Sequence, residues 1–203
     1  MKKIILSTVS VLSWGFLRLM YLIKLRKELN IPISIAKPRT VSSNNFKTYT
    51  IKKGEHYCND NYLKLVTLNQ MYFNVIFDKT AVYQSENSEN QYDINKLMGF
   101  SDGYNHELNS ARIGWNYVDG KIRLHAYVHS DYAVFYKEIT SVEIGEEVFC
   151  SIKIKENNYV FTAKGIEISI ERATKKSFIH GYLLFPYFGG DEAAKHDTTI
   201  LIK

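Results

Sequence analysis

The chain has 203 residues, of which 14% are aromatic and only three are proline. This length allows a full buried core, and the composition excludes a disordered protein and favours β-structure. The formal net charge is +5 at pH 7. Most of the excess lies in the first 53 residues, where Glu28 is the only acid. The positive charge therefore does not mark a nucleic-acid-binding face on the rest of the chain, and we expect no nucleic-acid partner.

Residues 1–29 predict a membrane or export helix. An apolar run from Ile4 to Leu17 follows Lys2 and Lys3, which is the order of the charged and apolar regions of a signal sequence. Read through Arg18, the apolar segment has about 20 residues, enough to cross a bilayer as a helix. An uncleaved anchor, a cleaved signal and an interfacial or packed helix remain open. The first two place the protein at the cell envelope, with the membrane as a partner of the N-terminal segment.

The remainder of the chain predicts a linker and one β domain. Residues 30–45 hold two of the three prolines and a Ser/Asn cluster, which is typical of a linker, so the domain should span residues 46–203. Short runs rich in β-branched and aromatic residues follow, and Asp119-Gly120 between two of them predicts a two-residue hairpin. The runs are residues 46–51, 62–68, 72–78, 111–118, 121–128, 134–142, 147–155, 158–163, 165–170, 181–188 and 197–203. About eleven short strands indicate an all-β, two-sheet antiparallel β-sandwich.

One stretch, residues 84–110, lacks the alternation of apolar and polar residues that marks a strand. It is polar and punctuated by aromatic residues. We interpret it as a long loop with a short helical turn near residues 93–97. Loops of this length in a compact domain are usually functional or mobile.

The strand over residues 121–129 provides the best candidate for a ligand-binding surface. Its apolar side chains share one face by the period of two, so its polar side chains share the other. Arginine, histidine and tyrosine side chains on one sheet face can hydrogen-bond hydroxyls and carboxylates, and tyrosine can stack on a sugar ring. An ordinary solvated sheet face has the same pattern. The predicted ligand-binding residues are Arg112, Asn116, Arg123, His125, Tyr127 and His129.

The C-terminal loop GGDEAAKHD is a candidate metal site. Its carboxylates, Asp191, Glu192 and Asp197, are of the kind that calcium prefers. The alternative is a local polar cluster that holds the Gly189-Gly190 turn, with His196 or Lys195 supplying the positive charge. No other cofactor is expected.

Two motifs bear on catalysis, and neither assigns a catalytic residue. Glu167 and Glu171 in EISIE would lie about 13 Å apart along a straight strand. That is too far for the paired carboxyl groups of a retaining glycosidase, which lie about 5 Å apart. His56 and Tyr57, with Lys53, could form the base and the cation that a polysaccharide lyase needs.

Six segments together carry a resemblance. They are NQYDINKLMGFSDG, NSARIGW, KIRLHAYVHSD, ITSVEIG, YVFTAKG and GYLLFPYFGGDEAAKHD. As a set they resemble a group of uncharacterised bacterial cell-envelope proteins, and the similarity spans residues 46–203. The resemblance implies a concanavalin A-like jelly-roll fold and a place in the cell envelope. It implies no reaction.

We therefore predict a non-catalytic domain at the cell envelope that binds a glycan. Two alternatives stay open: a glycan-active enzyme, either a polysaccharide lyase or a glycoside hydrolase, and a structural or adhesion subunit. The sequence does not predict an oligomeric state.

Overall fold

The structure is a computed structural model and describes residues 45–203, which form twelve strands and two short 3-10 turns. The turns are Lys79–Ala81 and Glu89–Tyr92. The strands are β1 (Lys47–Ile51), β2 (Leu65–Leu68), β3 (Gln70–Phe77), β4 (Asn95–Ser101), β5 (Asn109–Val118), β6 (Lys121–Ser130), β7 (Ala133–Val142), β8 (Val148–Lys155), β9 (Asn158–Ala163), β10 (Ile166–Glu171), β11 (Ile179–Leu184) and β12 (Thr198–Ile202). The predicted N-terminal helix, and the linker up to residue 44, lie outside the described residues.

The strands form two six-stranded antiparallel sheets. The back sheet has the order β1-β12-β3-β8-β9-β10, and the front sheet has the order β2-β11-β4-β5-β6-β7. Strands from both ends of the domain become neighbours in each sheet, as β1 and β12 do. This confirms the predicted all-β two-sheet sandwich.

The core lies between the sheets and is built from the inward side chains of both. Phe77 and Phe161 from the back sheet and Trp115 and Leu124 from the front sheet are fully buried. The rings of Phe77 and Trp115 have centroids 5.1 Å apart, which joins the two layers directly. Alternation along each strand places these apolar residues inward and their polar neighbours outward.

The tight turns explain the register of the hairpins. Asp119 and Gly120 have φ values of 52° and 76°, which suits the two-residue turn predicted there. Lys164 and Gly165, between β9 and β10, also have positive φ values, of 49° and 77°. Glu156 has a positive φ of 56° in the two-residue turn that joins β8 to β9.

The prediction of one long loop over residues 84–110 was wrong, because β4 lies within it. The helical turn also falls earlier, at Glu89–Tyr92. The three steps along β4 from Lys96 to Gly99 are matched by only two steps on β5, from Gly114 to Arg112, which is a β-bulge. The bulge lets the adjacent side chains of Leu97 and Met98 both enter the core. It therefore removes the alternation by which a strand is recognised in a sequence.

A buried ionic network joins the end of β4 to the segment that follows β10. One carboxylate oxygen of Asp102 accepts hydrogen bonds from Tyr159 at 2.6 Å, from the Arg172 guanidinium and from the Thr174 hydroxyl. The Arg172 side chain has 0% exposure. Each charge depends on the other, because Arg172 has no exposure to solvent and Asp102 has little.

Between residues 45 and 203 the structure has no helix with the length and hydropathy of a membrane span.

Candidate functional site

The outer face of the front sheet carries a cleft of about 530 Å³. Its floor is made by β4, β5, β6 and β11, and its rim by the segments around residues 57–63, 106–107 and 187–190. The polar and aromatic side chains that line it are Tyr57, Asn61, Tyr62, Lys96, His106, Glu107, Arg112, Tyr127, His129, Tyr182, Phe185 and Tyr187.

Arg112 lies in the middle of the floor because its neighbour across the strands is a glycine. Gly99 pairs with Arg112, which in turn pairs with Tyr127. A Cβ atom at position 99 would lie 2.8 Å from Cγ of Arg112 and 2.1 Å from the carbonyl oxygen of Ala111. Gly99 therefore leaves the room that the arginine side chain occupies.

Lys96 reaches the same cleft because of the bulge in β4. Without the extra residue, positions 96 and 99 would face opposite sides of the sheet. The main chain of Lys96 pairs with Tyr187 through two hydrogen bonds of 2.8 and 3.0 Å. Its ammonium group lies 4.6 Å from the centre of the Tyr127 ring, a cation–π contact.

Neither cation of the cleft forms an ion pair within the described part of the chain; the carboxylate of Asp93 acts on Lys96 and opposes the fall of its pKa, whereas no carboxylate acts on Arg112. Arg112 is 8% exposed, and its Nε atom is buried without a hydrogen-bond partner. Burial, and then repulsion from Arg112, lowers the pKa of Lys96 to about 8. Glu107 is the only carboxylate among the lining side chains. A buried cation without a partner is costly, so this arrangement is suited to an anionic ligand.

His129 is held in a defined tautomer. Its Nδ1 atom lies 3.0 Å from the carbonyl oxygen of Glu107. A carbonyl oxygen only accepts, so Nδ1 carries the proton and Nε2 keeps its lone pair. Burial is the main cause that lowers the pKa of His129, and the charges of Arg112 and Lys96 act in the same direction. The ring is therefore neutral at pH 7 and able to accept a proton at Nε2.

Two tyrosines complete the walls. The hydroxyl of Tyr182 lies 2.7 Å from Nδ1 of His106. The Tyr187 ring stacks on His56 at 5.4 Å and meets the edge of Tyr57 at 5.0 Å. Burial is the main cause that raises the pKa of Tyr187, so its phenol stays protonated at neutral pH. Tyr187 is thus held on two sides where it lines the cleft.

The structure places the six predicted ligand-binding residues in three different surroundings. Arg112, Tyr127 and His129 line the cleft. Asn116 and His125 are buried and bonded to each other at 3.1 Å, and the Asn116 amide donates to the carbonyl of Tyr92. The segment before β4 thus covers this part of the sheet face.

Arg123 lies outside the cleft. Its guanidinium pairs with Asp119 at 2.5 Å and with Glu138 at 3.3 Å. The period-two pattern correctly placed this side chain on the outer face, but its charge is already matched there.

The three carboxylates of the C-terminal loop have separate surroundings. Glu192 pairs with Lys195 at 2.7 Å, and this hydrogen bond is the main cause that lowers its pKa to about 2. Asp197 pairs with Lys52 at 2.6 Å, and Asp191 is exposed. Within residues 45–203 no group of three or more His, Cys, Asp or Glu side chains is arranged to hold a metal. For Glu192 the geometry matches the alternative to a metal site, a local polar cluster in which Lys195 supplies the positive charge.

The turn at Gly190 holds this loop against the cleft, and we expect it to be intolerant of a side chain. Gly190 has φ of +84°, and a Cβ there would lie 2.4 Å from Cγ of Asp93, whose carboxylate accepts from the Asp191 main chain. We expect Gly190→Ala to cost about 2–4 kcal/mol in the free energy of unfolding, from left-handed backbone strain and overpacking.

Gly165→Ala is the matched control for that substitution. Its φ is +77°, but nothing lies within 4 Å of the added Cβ. Gly165→Ala should therefore lower the free energy of unfolding only by the cost of left-handed backbone strain, about 1–2 kcal/mol. Equal losses in urea denaturation would show that the contact with Asp93 does not matter.

Several cleft residues were not predicted from the sequence. Lys96 lies in the stretch interpreted as a loop, and Tyr182 and Tyr187 in a run interpreted as one buried strand. That run ends as β11 at Leu184, shortly before Pro186, and Tyr187 pairs separately with Lys96. His56 and Tyr57 were proposed for a lyase site, and both lie beside Tyr187. The remaining member of that proposed group, Lys53, does not line the cleft.

Comparison with known proteins identifies the fold. No family profile matches the sequence, and no curated protein matches it. The solved structure of the alginate lyase AlyC3 superposes with a TM-score of 0.54 at 9% identity, over 80% of this chain and 74% of that chain. Its complex with dimannuronate gives 0.52 at 8% identity, over 77% and 71%. A laminarinase catalytic domain from Thermotoga petrophila RKU-1 gives 0.49 at 9% identity, over 78% and 75%.

At these identities the likeness to AlyC3 establishes the fold alone. The domain is a jelly-roll β-sandwich, consistent with the concanavalin A-like architecture that the sequence resemblance implied.

Proposed function

We propose that this protein binds an acidic polysaccharide in the front-sheet cleft and cleaves it by β-elimination next to a uronate. The observation that carries the proposal is the buried Arg112, which faces the cleft beside Lys96 without an anionic partner in the described chain. A uronate carboxylate supplies the missing charge in a planar, bidentate form that suits a guanidinium. The description of AlyC3, a protein of the same fold, as an alginate lyase bound to dimannuronate supports this ligand class.

The cleft contains the three chemical groups that such an elimination needs. Arg112 and Lys96 neutralise the carboxylate, which makes the proton on C5 more acidic. Nε2 of His129 takes that proton, and the electron pair of the broken C5–H bond forms the C4–C5 double bond as the C4–O4 bond breaks. His129 then releases its proton to water. The phenol of Tyr187 gives its proton to the leaving oxygen and regains one from water. General acid–base steps of this kind contribute roughly 10²–10⁴-fold each.

The same lining argues against glycoside hydrolysis. Hydrolysis with retention or inversion ordinarily uses two carboxyl groups on either side of the scissile bond. Glu107 is the only carboxylate among the residues that line the cleft, so the pair that hydrolysis needs is not present there. Glu167 and Glu171 lie on β10, an edge strand of the back sheet, away from the cleft.

The direct test is to incubate the full chain with polymannuronate, polyguluronate and polygalacturonate, with laminarin as a neutral control. We expect ultraviolet absorbance from the new double bond with at least one acidic polymer and none with laminarin. Binding of an acidic polymer without absorbance would favour the non-catalytic domain predicted from the sequence. No binding and no cleavage with all three polymers would contradict the proposal.

The pH dependence of kcat/KM should be bell-shaped. His129 must be neutral, so activity is lost as the pH falls through its lowered pKa. Lys96 must be charged to attract the carboxylate, so activity also falls as the pH rises past about 8, the pKa of Lys96. Lys96→Arg should move the alkaline limb to higher pH, because arginine stays charged. An alkaline limb unmoved by this substitution would show that Lys96 does not set it.

We also propose the cell envelope as the place of action. The support is the apolar run at residues 4–17 behind two lysines, together with a cleft suited to a polymer found outside cells. Fractionation of the source cells, with detection of the full chain, tests this location.

A further inference from the structure

Strand β7, at the outer edge of the front sheet, pairs with β6, whose Tyr127 and His129 line the cleft. All six residues from position 133 to 138 are exposed, unlike the later part of the strand. Tyr136 pairs with Tyr127 and Val134 pairs with His129. Directly opposite side chains on one sheet face lie about 5 Å apart, so Tyr136 and Val134 continue the two rows that form the floor.

The exposure of these two side chains is large for apolar groups beside a cleft. Tyr136 is 64% exposed and Val134 is 47% exposed. Phe135 between them is 49% exposed, but it pairs with Val128 of the core and so belongs to the opposite face. Strand β7 therefore carries aromatic side chains on both faces, and one of them adjoins the cleft.

We propose that Tyr136 and Val134 form a platform for the sugar next to the uronate held by Arg112. This inference rests on the proposed function and deepens it: the ligand is an extended uronate chain rather than a disaccharide. The apolar C–H face of a sugar ring packs on a tyrosine ring, and the ring's hydroxyls stay in water at the sheet edge. The occupant follows from continuity, since the rows Arg112–Tyr127–Tyr136 and Ser110–His129–Val134 run from the cleft to the edge.

The test compares Tyr136→Ala with Phe135→Ala, which removes a similarly exposed ring on the other face of the same strand. Affinities are measured by calorimetric titration of the full chain with uronate oligosaccharides of two to eight sugars. Loss of an aromatic contact is worth about 0.5–1.5 kcal/mol, so Tyr136→Ala should weaken binding of the longer chains by roughly 2–10-fold. Binding of the disaccharide should not change, and Tyr136→Trp should keep or raise the affinity for long chains.

Equal effects of the two alanine variants, or an equal loss for short and long chains, would overturn the platform while leaving the proposed function intact. So would light scattering that shows a dimer broken by Tyr136→Ala, because β7 would then be a contact between two copies. Absence of binding by the unmodified protein to any uronate chain would overturn both proposals.

Discussion

Replacing Arg112 with methionine should abolish the activity of the cleft without unfolding the protein. Removing one partner of a buried, charge-assisted contact costs about 2–5 kcal/mol of affinity, roughly 30-fold to several thousand-fold. The free energy of unfolding should stay the same or rise, because Arg112 is buried with an unbonded Nε atom and methionine fills similar space without the charge. Titration with a uronate polymer and thermal melting of the same sample give both values.

Arg123→Met is the control for this experiment. Arg123 lies on the outer face of the same sheet but is paired with Asp119 and Glu138. Its loss should cost less than about 1 kcal/mol of stability and leave polymer affinity unchanged. If both substitutions weaken binding alike, the effect is one of general positive charge and Arg112 has no special role. If Arg112→Met binds normally, the proposed carboxylate site is wrong.

The largest effect on stability should come from Asp102→Ala. The substitution leaves Arg172, which has 0% side-chain exposure, as a buried charge without its carboxylate. It also removes the acceptor for Tyr159 and Thr174. Breaking a buried ion pair from one side costs about 3–5 kcal/mol. In a domain of this size that loss lowers the melting temperature by roughly 6–20 °C.

Asp197→Ala is the control for this experiment, because it removes a carboxylate from an exposed ion pair rather than from a buried one. The pair that Asp197 forms with Lys52 is open to solvent, with side chains 52% and 64% exposed. Its loss should cost little stability, because solvent screens an exposed ion pair. The same variant tests the calcium prediction, because a calcium-dependent rise in melting temperature that Asp197→Ala removed would show binding at that loop. Similar destabilisation by the two substitutions would mean that the network around Asp102 carries no special weight.

The stability network and the cleft are connected through one segment. Asp102 begins the loop between β4 and β5, and that loop carries His106 and Glu107 into the cleft. The carbonyl of Glu107 sets the tautomer of His129. A partial loss of order around Asp102 would therefore reach the proposed base before the sheets separate. Comparing activity and unfolding in Asp102→Asn would show whether activity falls at temperatures where the domain is still folded.

Much of the fold follows from local patterns that a sequence displays. Alternation with a period of two predicted β6, and the Asp119-Gly120 pair predicted the hairpin that joins it to β5. The same alternation placed Arg112, Tyr127 and His129 on one face, and all three line the cleft. These features depend on residues within a few positions of each other, or on the partner strand of one hairpin, so their cause lies in the adjacent sequence.

The rest of the site depends on which distant segments become neighbours. Tyr187 pairs with Lys96 across 91 positions, and a bulge rather than an alternating pattern turns Lys96 to the cleft. Asn116 and His125 have the same alternation as the cleft residues but are buried, because the segment that ends at Tyr92 folds over them. Which parts of a sheet face stay open is set by long-range hydrogen bonds and by the loops that cross the sheet. A period-two pattern reports the face on which a side chain lies, but not what covers that face.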